Sequence, residues 1–248
     1  MRIAASGTHY VLVSDLFRDR ELVNRMMRAA RPPERNKMNA NLTDITVILD
    51  ESGSMLKNRG SVIEGFNSML DEQAKLSRNT PKLQAKLSVY KFNDQVRQVY
   101  QYFTINTRNL DNLYLDNRSY DPKGSTSLLD AIGKAIDETG SRLASMAKQD
   151  LPGNVLIMIM SDGEENSSRH FDYQQISDKI NHQQSKYNWI FKFIGTDQDV
   201  IASAAKLHIA KADTRSYTND ASGYQIAYSS INTSIGNVRT GNGSDWKK

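Results

Sequence analysis

Two alternating patterns of apolar residues run along this 248-residue chain from Asn41 onward. Short segments rich in apolar, β-branched and aromatic residues predict strands at 44–49, 83–92, 96–103, 155–160 and 189–194. Apolar residues at helical spacing predict helices at about 62–74, 127–147, 171–187, 200–207 and 223–238. Because helices that alternate with mostly parallel strands pack on both faces of a sheet, the pattern predicts one doubly wound α/β domain over residues 41–240.

The strands at 83–92 and 96–103 differ from the rest, since the polar turn Asn93-Asp94 joins them directly. Such a short connection favours an antiparallel hairpin, which we expect at one edge of the sheet. In contrast, 155–160 is apolar on both faces, as expected of a central parallel strand between two helix layers. Ser127 is predicted to cap the helix that follows it.

The net charge of the chain is concentrated at its start. Residues 1–37 hold eight Lys or Arg and four Asp or Glu, which matches the formal net charge of +4 of the whole chain. The body from residue 38 onward is therefore neutral, which argues against a broad phosphate-binding face. We expect residues 1–40 to be a basic extension that is either poorly ordered or, if translation begins at Met38, not native. Residues 241–248 are expected to form a flexible tail.

Composition also bears on cellular location. The chain has no cysteine, which excludes disulfides and thiolate metal sites. Its longest apolar run, 155–160, is far too short to span a bilayer, and no N-terminal segment has the pattern of a signal peptide. We therefore expect a cytoplasmic protein with no membrane partner.

Three separated segments carry oxygen-bearing side chains at the ends of predicted elements: one follows the first strand, one precedes the helix at 127–147, and one follows the strand at 155–160. Their candidate ligands are Asp50, Ser52, Ser54, Thr126 and Asp162. Since open parallel sheets bind ligands at the carboxyl ends of their strands, we expect these side chains to converge on one rim. Carboxylate and hydroxyl oxygens without a soft ligand suit Mg²⁺, Mn²⁺ or Ca²⁺.

The order and spacing of these motifs resemble the von Willebrand factor A domain family over about residues 42–235. The D-x-S-x-S run at 50–54, the threonine that ends D-P-x-G-x-T at 121–126 and the S-D-G at 161–163 match that family's metal-ion-dependent adhesion site. The resemblance implies that Ser52, Ser54 and Thr126 contact the metal, with Mg²⁺ expected first. It implies that Asp50 and Asp162 hold the ion directly or through water.

The resemblance also implies a function. Members of the family use such a site, without catalysis, to capture an Asp or Glu of a partner protein. The segments at 52–55 and 162–166 are closer in style to intracellular bacterial and phage members, whose relatives often act beside an AAA+ ATPase. We therefore expect a non-enzymatic, metal-dependent protein-binding module, with an AAA+ ATPase-containing complex as a candidate partner.

Two other functions stay open on the sequence alone. A metal-dependent hydrolase could use the same carboxylates and cation to activate water, although the chain has no convincing nucleophile–base pair and no Gly-rich phosphate loop. A nucleic-acid-associated protein could act through the basic segment 1–37, although the neutral body does not favour nucleic acid as a partner.

Several residues near the motifs have more than one interpretation. Glu51, Glu164 and Glu165 suit either charges around the site or solvated surface. Asp121 either orients the Thr126 loop or opens the turn before Pro122. His170 is expected at the surface. The aromatic residues at 189, 191 and 193 are most simply core residues.

Overall fold

The computed structural model of the protein describes residues 38–162, 165–196 and 199–243. The predicted basic extension lies outside the described residues up to position 37, as does the predicted tail from 244 onward. The strands are β1 (Asn39–Asp50), β2 (Gln84–Phe92), β3 (Val96–Thr104), β4 (Pro152–Ser161), β5 (Ile190–Thr196) and β6 (Thr214–Tyr217). The helices are α1 (Arg59–Asn79), α2 (Leu128–Ala144), α3 (Tyr173–Tyr187), α4 (Asp199–Lys206) and α5 (Ala221–Thr240).

The six strands form one sheet in the order β3-β2-β1-β4-β5-β6. β3 runs antiparallel to β2 at one edge, whereas every other neighbouring pair is parallel. The predicted α/β fold, its edge hairpin and the central place of β4 are confirmed. The direction of winding reverses between β1 and β4, and doubly wound sheets open a ligand crevice at such a switch point.

Two apolar cores cover the two faces of this sheet. One packs α1 and α5 against the sheet and includes the buried rings of Phe66 and Tyr224. The other packs α2, α3 and α4 against the opposite face and includes Trp189, Phe191 and Phe193, which are core residues as expected. Burying one large apolar side chain contributes about 1.5–3 kcal/mol relative to leaving it exposed, so the two layers hold the strand ends firmly.

The helix ends follow local capping chemistry. Asp172 begins α3 with a capping box, in which its side chain accepts from the Gln175 amide at 2.8 Å and the Gln175 side chain accepts from the Asp172 amide at 2.9 Å. Asp220 begins α5 by accepting from the Gly223 amide at 2.8 Å. The sequence alone thus carries enough information to start these two helices.

The bounds of several elements differ from the sequence prediction by a few residues, as β1 and α2 illustrate, and one strand is not predicted at all. β1 begins at Asn39 rather than at 44, where its first residues pair with the start of β4. α2 ends at Ala144 rather than at 147 and is followed by a separate 3-10 turn. The sequence pattern does not predict β6, because its four residues include Arg215 and Ser216 and only pairing with β5 makes them a strand.

Candidate metal site

The carboxyl ends of β1 and β4 place the first and third motifs side by side. Asp50 is the last residue of β1, Ser161 is the last residue of β4, and the two strands pair in parallel. Asp162 follows Ser161 directly. Because parallel neighbours end at the same edge of a sheet, Asp50 and Asp162 both emerge at the switch-point rim.

Hydrogen bonds connect four of the five candidate ligands. The buried Asp50 carboxylate accepts from the Ser52 amide at 2.7 Å and from the Ser161 hydroxyl at 2.5 Å. The hydroxyls of Ser52 and Ser54 lie 3.0 Å apart, and Ser54 Oγ donates to Asp162 Oδ1 at 2.6 Å. Since Ser54 is exposed, the connected groups lead from a buried carboxylate to the surface.

Thr126, the fifth candidate ligand, lies on a loop that is held from both sides. Gly124 has a φ of +77°, which an L side chain rarely adopts, and its carbonyl accepts from the Gly53 amide at 3.0 Å. The Thr126 amide donates to Asn166 Oδ1 at 2.9 Å, and its carbonyl accepts from the Asn166 amide at 3.1 Å. The backbone of Thr126 is thereby tied to the loop after Asp162, while Gly124 ties the same segment to the turn after β1.

The predicted cap of α2 is wrong in its chemistry although right in its position. Ser127 is the N-cap residue, but its side chain makes no capping hydrogen bond. Its hydroxyl instead donates at 2.6 Å to the carbonyl of Asn93, in the turn between β2 and β3. Glu165 Oε2 accepts from the Leu129 amide at 2.9 Å and satisfies that helix end from a distant loop.

Asp130 holds the loop after β4, a role that its place in the sequence does not predict. Its carboxylate accepts from the three consecutive amides of residues 169–171 at 2.9, 2.9 and 3.0 Å. The one signal in the sequence is an acidic residue in the first turn of a helix, where negative charge is favoured. His170 is exposed, as expected, and takes part only through its amide in these contacts.

Burial is the largest influence on the pKa of Asp50 at the rim. It raises the pKa of Asp50 to about 6; the hydrogen bonds from Ser161 and Ser52 oppose the rise, and the nearby Asp162 carboxylate adds to it. Asp162 Oδ2 is buried and accepts no hydrogen bond from any residue in the described ranges. A positive charge at the rim would favour the ionised form of the Asp50 carboxylate.

The available donors fit a hard divalent cation. Two carboxylates and several hydroxyls suit Mg²⁺, Mn²⁺ or Ca²⁺, which prefer oxygen ligands. Over the part of the chain that the structure describes, no three His, Asp or Glu side chains cluster as a metal site. A cation at this rim would therefore depend on hydroxyl oxygens in addition to Asp50 and Asp162.

The acidic residues next to the motifs differ in their burial and in their ion pairs. Glu51 is only 1% exposed and forms ion pairs with Lys91, at 2.8 Å, and with Arg97, so the solvated-surface interpretation is wrong for it. Asp121 is half exposed, and its carboxylate pairs with Lys123 at 3.0 Å. Glu164 lies outside the described residues.

The fold and the rim define the class of this protein. It is a doubly wound α/β domain that carries hydroxyl and carboxylate oxygens at the switch point of its sheet. The model of the von Willebrand factor type A domain family matches residues 44–230. The chain therefore belongs to this family, as its motifs predict. Comparison with curated protein sequences finds no match.

Solved structures with the same fold share little sequence with the chain. It is similar to proximal thread matrix protein 1 (PTMP1) from the mussel byssus with a zinc-occupied MIDAS motif, with a TM-score of 0.56 and 14% identity over 82% of this chain and 46% of that one. It is similar to manganese-loaded Plasmodium vivax TRAP protein, with a TM-score of 0.51 and 16% identity over 76% and 73% of the two chains.

The chain is also similar to the vWF domain of the type V pili tip protein Mfa5 from Porphyromonas gingivalis. The TM-score is 0.53, with 15% identity over 78% of this chain and 95% of that one. At such identities the likeness shows the fold alone. The chain spans less than half the length of PTMP1.

Proposed function

We propose that the chain is a metal-dependent protein-binding module that holds Mg²⁺ at the switch-point rim, with Mn²⁺ or Ca²⁺ as alternatives. Ser52, Ser54 and Thr126 contact the ion in this proposal, and Asp50 and Asp162 hold it directly or through water. The zinc-occupied MIDAS motif named for PTMP1 supports a divalent cation at this motif, and manganese-loaded TRAP supports a divalent cation in a protein of this fold.

The Asp162 side chain is the observation that carries the proposal. Its Oδ1 accepts a hydrogen bond from Ser54, whereas its buried Oδ2 has no partner among the described residues. A buried acceptor without a partner costs about 1–3 kcal/mol, and more when it is charged. Coordination to a cation, directly or through a bound water, would remove that cost.

The accessible side of the rim supports an acidic partner. When bound, a divalent cation supplies an open coordination position for an anionic oxygen. Among the proposed ligands Ser54 is exposed, whereas Asp50 and Ser52 are buried, so a partner would approach the ion from the side of Ser54. Since three of the proposed ligands are neutral hydroxyls, positive charge is left over when one carboxylate binds only through water. We therefore propose an Asp or Glu of another protein as the captured group.

The role is proposed to be non-catalytic, in the cytoplasm, with a partner in an AAA+ ATPase-containing complex. PTMP1 is named a thread matrix protein and Mfa5 a pili tip protein, and neither name is that of an enzyme, which supports the non-catalytic part. The cytoplasmic location rests on the composition, which has no cysteine, and on the absence of a signal-peptide pattern, whereas the AAA+ partner rests on the sequence resemblance. Within the described ranges, no helix is both long and apolar enough to cross a membrane.

Affinity capture in matched buffers tests the proposal. The full chain is immobilised, exposed to a lysate of its source in Mg²⁺ or in EDTA, and the bound proteins are identified by mass spectrometry. We expect capture in Mg²⁺, and its loss both in EDTA and in Asp50→Ala. Asp137→Ala is the control. It removes a half-exposed carboxylate on α2 that pairs with Lys179 and is not a proposed ligand, so capture should be retained.

Capture that is the same under all these conditions would show that the metal is not the binding device. Metal-stimulated hydrolysis of a phosphoester, lost in Asp162→Ala, would favour the hydrolase hypothesis instead. The nucleic-acid hypothesis concerns residues 1–37, which lie outside the described residues.

A further inference from the structure

A buried ion network centred on Glu51 lies directly beside the proposed metal site. The Glu51 side chain is 1% exposed although it follows Asp50 immediately. Its Oε1 accepts from Lys91 Nζ at 2.8 Å, and its Oε2 accepts from the Arg97 guanidinium. Removing one partner of such a buried pair leaves an uncompensated charge, so Glu51 and Lys91 act as a unit.

The same two residues hold the loop that carries Thr126. Glu51 Oε1 also accepts from the Asp121 amide at 2.8 Å, and the Glu51 carbonyl accepts from the Lys123 amide at 2.9 Å. Lys91 Nζ donates to the carbonyl of Ser119. The segment 119–123 is therefore attached to the end of β1 and to β2 just before it reaches Thr126.

Tyr120, inside this segment, makes a further attachment without any charge. Its buried hydroxyl donates at 2.7 Å to the carbonyl of Asp50. Arg59 Nε, from the start of α1, donates at 2.8 Å to the Tyr120 carbonyl. Groups from β1, β2 and α1 thus set the path of the loop toward the rim.

We infer that Glu51, together with Lys91, is a positioning residue that fixes Thr126 at the metal site. This inference rests on the proposed function, because it concerns the affinity of the same rim for its ion. Groups that orient metal ligands without touching the metal typically change metal affinity by about 10- to 100-fold when they are removed.

Titration calorimetry of the full chain with Mg²⁺, and separately with Mn²⁺, tests the inference. Glu51→Gln and Lys91→Met are both expected to weaken metal binding by about tenfold or more, because both release the Thr126 loop. A purely electrostatic influence predicts opposite signs, since losing the negative charge would weaken cation binding and losing the positive charge would strengthen it. The sign of the Lys91→Met effect therefore separates the two explanations.

Arg97→Gln is the matched charge control. Arg97 pairs with the same carboxylate and is 48% exposed, and its described contacts do not include residues 119–123. We expect metal affinity to be unchanged in this variant, although the positive charge lost is the same as in Lys91→Met.

Asp44→Asn separates positioning from stability. Asp44 is a second fully buried carboxylate on β1, six positions before Asp50, and it pairs with Arg142 at 2.8 Å. We expect this variant to lower the thermal unfolding temperature without changing metal affinity. Tyr120→Phe removes only the hydroxyl that ties the loop to Asp50, so it should weaken metal binding even if Glu51→Gln fails to fold.

Equal metal affinity in the wild type, Lys91→Met and Tyr120→Phe would overturn the inference and leave the proposed function standing. Tighter metal binding by Lys91→Met would also overturn it, in favour of a charge effect. A wild-type chain with no measurable affinity for Mg²⁺ or Mn²⁺ would overturn the proposed function, and this inference with it.

Discussion

Ser54 Oγ donates a 2.6 Å hydrogen bond to Asp162 Oδ1 across 108 positions of sequence. The bond joins the turn after β1 to the residue after β4, which are the two strands at the switch point of the sheet. The Ser52 hydroxyl lies 3.0 Å from the same Ser54 oxygen. Three candidate ligands are therefore held together by the fold itself, and a cation would find them close to a common position.

Mg²⁺ is expected to stabilise the folded chain. A ligand that binds only the folded state raises the free energy of unfolding by about 2.7 kcal/mol at 100 times its dissociation constant. The thermal unfolding temperature should rise with Mg²⁺ and fall with EDTA. Asp162→Asn should lose most of this response, whereas Asp137→Asn should keep it. A melting temperature indifferent to Mg²⁺, Mn²⁺ and Ca²⁺ would contradict the proposed site.

Asp50 should give the metal-free protein a characteristic pH dependence. Burial raises its pKa from 3.8 to about 6, so the folded state holds a proton that the unfolded chain has released between these values. The stability that this proton contributes is fully present below about pH 4 and is lost as the pH rises through about 6, by on the order of 3 kcal/mol.

Chemical unfolding in EDTA between pH 4 and 7.5 measures this effect. The free energy of unfolding of the wild type should fall with rising pH relative to that of Asp50→Asn, because the variant has no carboxylate to ionise. Parallel pH profiles for the two proteins would show that Asp50 titrates at the same pH in the folded and unfolded chains.

Gly124→Ala should destabilise the protein. The φ of +77° is unfavourable for alanine, and an added Cβ would lie 2.6 Å from Asp94 Oδ1. We expect a loss of about 1–3 kcal/mol in the free energy of unfolding, measured with urea. Gly236→Ala in α5, where an added Cβ meets nothing within 4 Å, should instead stabilise by up to about 1 kcal/mol. Equal stability of the two variants would show that alanine fits the backbone conformation of Gly124 without strain.

Asp130→Asn should loosen the loop after β4. The variant keeps the shape of the side chain but loses the charged carboxylate, which accepts hydrogen bonds from the three amides of residues 169–171. We expect a loss of about 1–3 kcal/mol and faster hydrogen exchange at those amides. Asp137→Asn, on the same helix, breaks a half-exposed ion pair with Lys179 of α3 and should cost no more than about 1 kcal/mol. Unchanged exchange at 169–171 would show that other contacts hold the loop.

Local pattern was sufficient where an element's own residues decide its burial. Positions 155–160 are apolar throughout, and the structure buries all of them in the central strand β4. Asn93-Asp94 marks the hairpin turn because a two-strand connection is a local feature. Prediction failed for β6 and for the Ser127 side chain, because a neighbouring strand defines β6 and the carbonyl of Asn93 takes the Ser127 hydroxyl.

The adjacent residues Asp50 and Glu51 show which properties the sequence determines and which the tertiary structure determines. The sequence by itself determined the α/β alternation, the edge hairpin and the three oxygen-bearing motifs, because periodicity and residue type are properties of short segments. Only the tertiary structure decided that the Asp50 carboxylate meets Ser161 at the rim while the adjacent Glu51 carboxylate turns to Lys91 and Arg97. The reason is that the partners of a charged side chain are its neighbours in space, and the order of the strands in the sheet determines which residues those are.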